Sequence, residues 1–422
     1  MRIKIPYGRS SIALDIDEKQ LIGLFRPVDV KDVKETEKML SNSIENPIEG
    51  RSLSNFVFQG KKVAVAVDDI TRVTPLRMIL PILLEKIEAA GVRKSSIKIV
   101  IALGTHRSMT DREIRDRYGA EIVEEYSIIN HECHDSKELL SMGKLPGDVP
   151  ILINKHFMKA DVRIGVGNII PHFTAGWSGG SKILLPGLAG EETVAGMHYY
   201  GAKTIPNALG EYENKPRAVM DTFAETVGLH MIVNTVLTRG GKIAGVYSGD
   251  FVKAHRRGVQ HSRRLYGIAI PSLADITVSG SYPADIDFWQ AEKALYSASL
   301  STRRGGGILL ITPCPEGISS THKEWADLLA YNSEELEETI ESKKVDDLTA
   351  ASLALCVAKT REPFTVCICS DGISDKEADK LHFKKFDNPK EALKFLDGKL
   401  DKSTKKLVLT HGGDTYPILR EN

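Results

Sequence analysis

The sequence predicts an α/β protein built from two α/β domains with mainly parallel sheets. Three observations carry this. Apolar strand-like runs alternate with helical patterns through the first ~270 residues, the pattern of βα units. At about 100–200 residues per domain, a chain of 422 residues holds two or three domains, each able to bury a core of its own. A change of texture after residue 250 and a proline at Pro271 mark a boundary, giving an N-terminal domain over 1–270 and a smaller C-terminal α/β domain over 271–422.

The elements follow in order. MRIKIPYGRSSIALDID (1–17) alternates as a strand does. KVAVAVDD (62–69) is an apolar strand leading into TPLRMILPILLEKIEAAG, whose apolar positions recur at helical spacing and whose Pro75 suits a first turn. SIKIVIALG (96–104) is the next strand, followed by a short helix from about Thr110, and DVRIGVGNII (161–170) is another strand. MIVNTVLTRGGKIAGVYSGD (231–250) reads as a hairpin turning at Gly240 and Gly241. FVKAHRRGVQHSRRLYG is a basic amphipathic helix, expected to present a solvated face. ADITVSGSYP, GGGILLITPCP and PFTVCICSD are further strands, with EELEETIESKK (334–344) an exposed helix between the last two. KLVLTHGG (406–413) either finishes the second domain or returns to the first.

Composition narrows the function. Lys and Arg number 56 against 56 Asp and Glu, which removes a whole-protein electrostatic argument for nucleic acid or an anionic membrane. With 42% hydrophobic and 27% charged residues the chain is of ordinary globular composition. No apolar run approaches the ~20 residues of a bilayer span, and the start lacks a basic n-region with an apolar h-region, so a cytoplasmic protein is expected. Cys133, Cys314, Cys356, Cys367 and Cys369 are an odd, scattered set that argues against a secreted disulfide framework. Strand alternation accounts for the CxC of Cys367 and Cys369 without a metal.

In open α/β sheets, active groups collect at the carboxyl ends of strands, and three such ends stand out. DDITRVTP places Asp69 and Arg72 three apart after a buried run; they can bind a polar ligand, Arg72 gripping a carboxylate or phosphate with its planar fork, or merely pair with each other. GTHR places His106 on a loop, where an imidazole with an unperturbed pKa of about 6.5 can serve as acid or base. GVGNIIPHFTAGWSGGSKILLPGLAGEETVAGMHYYG is dense in glycine and contains His172, Lys182 and His198. It is not a Walker loop, because Lys182 is preceded by Ser181 and followed by Ile183, and GVGN stops short of GxGxxG. In SGSYPADIDFWQAEKAL, Gln290 and Lys293 share one helix face beside Trp289. HECHD (131–135) lacks zinc spacing and reads as a polar loop.

Taken together, DDITRVTP, GTHR, PHFTAGWSGGSKILLPG, GMHYYG and WQAEK resemble the nickel-pincer nucleotide dependent racemases and epimerases, the lactate racemase family, over essentially the whole chain and in the same order. The PHxxAGxSGGxKxxxPG stretch is the specific part of the likeness. The resemblance implies two α/β domains with the site in the cleft between them, the N-terminal one anchoring the cofactor. It implies that Lys182 tethers the pyridinium-derived nickel-pincer nucleotide through a thioamide, that His198 is the protein ligand to nickel, and that His106 and His172 are the catalytic pair. Asp69, Arg72, Gln290 and Lys293 match residues that bind the cofactor phosphate or the substrate. The implied partners are a small 2-hydroxy acid and the enzymes that build the cofactor.

The chemistry is coherent. The hydrogen on the carbon beside a carboxylate is scarcely acidic, so removing it as hydride avoids a carbanion but needs an electron sink, which a metal-bound pyridinium supplies. The planar 2-keto acid can take the hydride back on its other face, and two histidines handle the hydroxyl proton on the two sides. Nickel with sulfur donors and one imidazole is a reasonable set. Two other readings use the same residues. A zinc-type hydrolase or lyase would draw on His106, His172, His198 and Asp69, leaving Lys182 unused. A non-catalytic binder of an anionic nucleotide would use the glycine-rich loop, Lys182 and Arg72, leaving the histidines idle.

Overall fold

The computed structural model describes residues 1–26, 35–50, 52–146, 148–238, 240–319, 322–400 and 403–420. The chain divides into two compact units. Unit I is Asp29–Tyr200 with Glu211–Leu265; unit II is Met1–Val28 with Gly201–Gly210 and Tyr266–Asn422. This corrects the contiguous division into 1–270 and 271–422. The late crossing lies at Leu265/Tyr266, not at Pro271, and the chain's first residues join its last. The reason is pairing: the strand Leu21–Phe25 runs parallel to Lys406–Leu409, with Leu407 opposite Gly23, so hydrogen bonds rather than sequence proximity assign it to unit II.

Unit I is built on a six-stranded sheet in the order Ile243–Gly249, Met231–Leu237, Val162–Asn168, Val63–Asp68, Ile97–Ala102, Ser127–Asn130. Every neighbouring pair is parallel except the hairpin of Met231–Leu237 with Ile243–Gly249, as its glycine turn predicts. The central strand is apolar throughout because both of its faces are covered. Val63, Val65 and Val67 pack with Ile79, Leu80, Leu83 and Leu84 of the helix Leu76–Ala89. Ala64 and Ala66 point the other way, into a cluster with Ile183, Leu184 and Leu188, where small side chains let the segment after the glycine-rich loop approach the sheet. The short helix Asp111–Tyr118 begins where expected, with a capping box between Thr110 and Glu113.

Unit II has a second six-stranded sheet, all parallel, in the order Lys384–Lys385, Thr365–Cys369, Thr302–Ile311, Ala274–Gly280, Lys406–Leu409, Leu21–Phe25. KLVLTHGG therefore finishes the second unit. The start of the chain forms an antiparallel hairpin, Arg2–Tyr7 with Ser10–Asp15, whose Ile3, Ile5 and Leu14 join Ile276 and Val278 in the core. Cys367 and Cys369 pair in register with Leu309 and Ile311; all five cysteines are buried and free, and burial pushes both of these thiols up to about 12. Among the described residues no helix is long and apolar enough to cross a membrane.

Candidate active site

The strand order of unit I singles out one place. From Val63–Asp68 the chain steps outward through Ile97–Ala102 to Ser127–Asn130, then crosses to the opposite side of Val63–Asp68 for Val162–Asn168 and on to Met231–Leu237. The direction of winding reverses between Val63–Asp68 and Val162–Asn168, and ligand crevices of open α/β sheets form beyond the strand ends at such a switch. The three strand ends singled out in the sequence belong to three adjacent strands, two of which flank the switch.

Asp69 follows the first of these. Its carboxylate is 4% exposed, and its Oδ2 lies 2.7 Å from Nδ1 of His106, whose ring is 48% exposed. Its Oδ1 accepts from the Thr71 amide at 3.0 Å and the Thr71 hydroxyl at 2.6 Å. Burial works to raise this carboxyl, but the bond to His106, the Thr71 hydroxyl and the Arg72 charge outweigh it and hold it below the usual range. An ionised carboxylate only accepts, so His106 carries its proton on Nδ1 and presents a lone pair at Nε2. Asp69 is thus committed to orienting His106. The preceding Asp68 is the contrasting case: burial raises its carboxyl, which accepts from the Thr74 hydroxyl.

His172 sits in a small ladder, Pro171–His172 against Gly176–Trp177. Its Nδ1 accepts from the amides of Thr174 at 3.2 Å and Ala175 at 3.3 Å, so the neutral ring keeps its proton on Nε2. The two histidines therefore stand in opposite tautomers. Beyond His172 the chain makes a tight turn through Gly179 and Gly180, both at positive φ. A Cβ on Gly180 would lie 2.8 Å from the His255 ring, and one on Gly179 2.8 Å from the Asn234 side-chain oxygen, so only glycine fits. Asn234 secures the turn by accepting from the Gly180 amide at 2.7 Å, and the Ser178 hydroxyl donates to the Asn168 carbonyl at 2.8 Å.

Lys182 leaves this turn half-buried. Burial, with the charges of Arg72 and Arg217, pushes its amine down to about 7 against the opposing pull of Asp68 and Asp69. A substantial fraction is therefore an uncharged amine at neutral pH, the form that can bond to a carbonyl-type carbon. Arg72 itself donates to the Thr71 carbonyl at 3.4 Å. His198 is half-buried on the helix Glu191–Thr204. These six residues all belong to unit I.

Gln290 and Lys293 belong to unit II, on the helix Phe288–Ser301. Asp287 caps its start by accepting from the Gln290 amide at 3.0 Å, and one turn on, Lys293 Nζ donates to Gln290 Oε1 at 2.7 Å. Trp289 stacks on His322 at 4.3 Å between centroids and meets Trp325 edge-on at 4.7 Å.

Beneath the glycine-rich turn lies a polar network that sequence reading missed. Arg217 is 1% exposed; its guanidinium donates to the carbonyls of Ala175, Trp177 and Gly179 and to the Ser181 hydroxyl. Arg256 pairs with Glu213 and Asp221 and donates to His255 Nδ1 at 2.8 Å, and His255 in turn donates to the Ser178 carbonyl at 2.8 Å. His255 and Arg256 begin the basic helix Lys253–Tyr266, so its expected solvated face is corrected at that end: they are 1% and 8% exposed. HECHD is a loop, as its spacing suggested, in which His131 and Cys133 are buried, His131 lying 2.9 Å from the Ala189 carbonyl. The available signal was the pairing of GGS with KPRAVMD and AHRR, several cations that an apolar core can hold only if carbonyls or carboxylates meet them.

Among the described residues, the three-or-more-ligand groups whose donor atoms fall within 4.8 Å of one another comprise His322, Glu324 and Asp347. His106, His172, His198 and Asp69 form no such group, which removes the geometric support for a zinc-type ligand set.

Residues 7–208 match the family described as lactate racemase N-terminal domain. The chain is 31% identical over 320 residues to the lactate racemase of Thermoanaerobacterium thermosaccharolyticum and 29% identical over 330 residues to that of Lactiplantibacillus plantarum, in each case over 75% of both chains. Its fold superposes on the lactate racemase apoprotein of the former organism with a TM-score of 0.88 at 27% identity, covering 100% of both chains. A protein from Thermotoga maritima shares the fold alone, with a TM-score of 0.70 at 20% identity over 93% of this chain and 100% of that one.

Proposed function

We propose, for a chain that belongs to the lactate racemase family and is an isomerase of that type, that it inverts the C2 carbon of a lactate-like or larger 2-hydroxy acid by hydride transfer to and from a nickel-pincer nucleotide tethered to Lys182. The observation that carries the reading is the gathering of the Asp69–His106 pair, His172 and the depressed amine of Lys182 on adjacent strand ends around the switch point. The residues present suit the group. Lys182 offers an amine that is substantially uncharged near neutral pH, as a thioamide link requires, and His198 offers an imidazole to nickel beside sulfur donors. When bound, the group supplies an electron sink for the α-hydrogen.

The chain's own residues do the rest. His106 takes the hydroxyl proton at Nε2, with Asp69 fixing the ring and stabilising the imidazolium that forms. His172 serves the opposite face. To act as a base there it must give up its two backbone bonds at Nδ1, of 3.2 and 3.3 Å. Arg72 and Lys293 neutralise the substrate carboxylate or the cofactor phosphate, and Gln290 orients the same groups. The reading places the enzyme in the cytoplasm, with the cofactor-building enzymes as partners.

The test uses protein co-expressed with those enzymes and substrate carrying deuterium at C2, with chiral chromatography and mass analysis of the product. Inverted product that retains the deuterium supports hydride transfer. Inverted product in which solvent hydrogen has replaced it contradicts the scheme.

A further inference from the structure

The cluster under the glycine-rich turn has no part in the chemistry above, yet it buries Arg217, His255 and Arg256. Arg217 is its centre. A guanidinium at 1% exposure carries a large desolvation cost unless its donors are met. Here they are met by the Ala175 carbonyl at 3.4 Å, the Gly179 carbonyl and Ser181 hydroxyl at 3.1 and 3.2 Å, and the Trp177 carbonyl. Four groups of one short turn therefore converge on a single planar fork, and the next residue is Lys182. The helix Lys215–Val227 delivers Arg217 from its first turn, where Asn214 caps the Arg217 amide at 2.8 Å. Ser181 is tied from a second side, its hydroxyl donating to Asp221, which also holds Arg256.

We infer that Arg217 is a positioning residue for Lys182: its guanidinium, fastened to the carbonyls of Ala175, Trp177 and Gly179 and to the Ser181 hydroxyl, fixes the turn from which Lys182 projects. The inference rests on Lys182 being the attachment point. The groups facing Lys182 divide in sign. Arg72 and Arg217 oppose a charge on the amine, Asp68 and Asp69 favour one, and burial adds to the arginines' side. His255, against Gly180, is kept neutral by burial and by the two arginines near it and contributes no opposing charge. Arg217 remains a cation at neutral pH, since burial brings it down only to about 10. In the bond-forming step, the lone pair of Nζ attacks the carbon of a thiocarboxylic acid, the C–O bond breaks, and the oxygen leaves as water with the acid proton and one proton from Nζ, leaving the thioamide.

The experiment labels the full chain, made without the cofactor-building enzymes, with trace acetic anhydride across pH 5–11 and reads acetylation of the Lys182 peptide against exposed lysines by mass spectrometry. In the wild type, labelling is half-maximal near pH 7. Arg217→Gln, which keeps a donor to the turn but no charge, moves that midpoint upward by about one pH unit, an about tenfold loss of relative labelling at neutral pH. Arg217→Lys restores the charge and brings the midpoint back. A wild-type midpoint in the ordinary lysine range, an unchanged midpoint in Arg217→Gln, or failure of both variants to fold overturns the inference in favour of a purely structural arginine. Failure of the tether reading itself looks different: no adduct on Lys182 after co-expression, whatever the midpoint.

Discussion

The two six-stranded sheets share an architecture and use it differently. In unit I, three adjacent strand ends deliver Asp69, His106, and His172 with Lys182, and these are held by something buried or by backbone: His106 by Asp69, His172 by two amides, and the turn bearing Lys182 by Arg217 and Asn234. In unit II the matching pair rides on a helix, and Lys293 and Gln290 hold each other through side chains. On the proposed reading, the groups that exchange a proton or form a bond are anchored to the sheet edge, and those that neutralise and orient an anion are long side chains on a helix face, where a flexible stem suffices.

If this division holds, changes in unit I lower kcat and changes in unit II raise KM. The largest effects are expected from His106→Ala and His172→Ala, each lowering turnover by at least about 10³-fold with the circular dichroism spectrum and thermal midpoint unchanged. Near-normal turnover in either breaks the two-base scheme. Asp69→Asn is expected to lower kcat by about 10²-fold, because an amide that donates toward Nδ1 favours the wrong tautomer of His106. Lys293→Ala is expected to do least, raising KM about tenfold with kcat within about threefold. A kcat loss as large as that of the histidine variants would erase the contrast between the units.

Much of this was legible in the sequence because it depends on local pattern. KVAVAVDD, SIKIVIALG and DVRIGVGNII are apolar runs that suit doubly covered parallel strands, and each ends in a polar loop, so strand ends single out Asp69, His106, His172 and Lys182 as candidates, and the resemblance supplies the role expected of each. Gln290 and Lys293 followed from helical spacing, and their hydrogen bond agrees with it. What was not legible depends on distant pairing. Leu21–Phe25 joins unit II through a partner strand near the other end of the chain. Arg217 drew no reading, and His255 and Arg256 fell within the basic helix expected to be solvated, because nothing local shows that carbonyls of residues 175–181 and the carboxylates of Glu213 and Asp221 converge on them. The bond between Asp69 and His106 was not legible because the two lie on different strand ends.

The central claim is that Lys182 carries the reactive group. The most direct test is mass analysis of the Lys182 peptide after co-expression with the cofactor-building enzymes, alongside interconversion of 2-hydroxy acid enantiomers by the same sample. The account predicts a thiolated pyridinium adduct on Lys182, with both adduct and activity lost in Lys182→Ala. Active protein in which Lys182 is unmodified would contradict it.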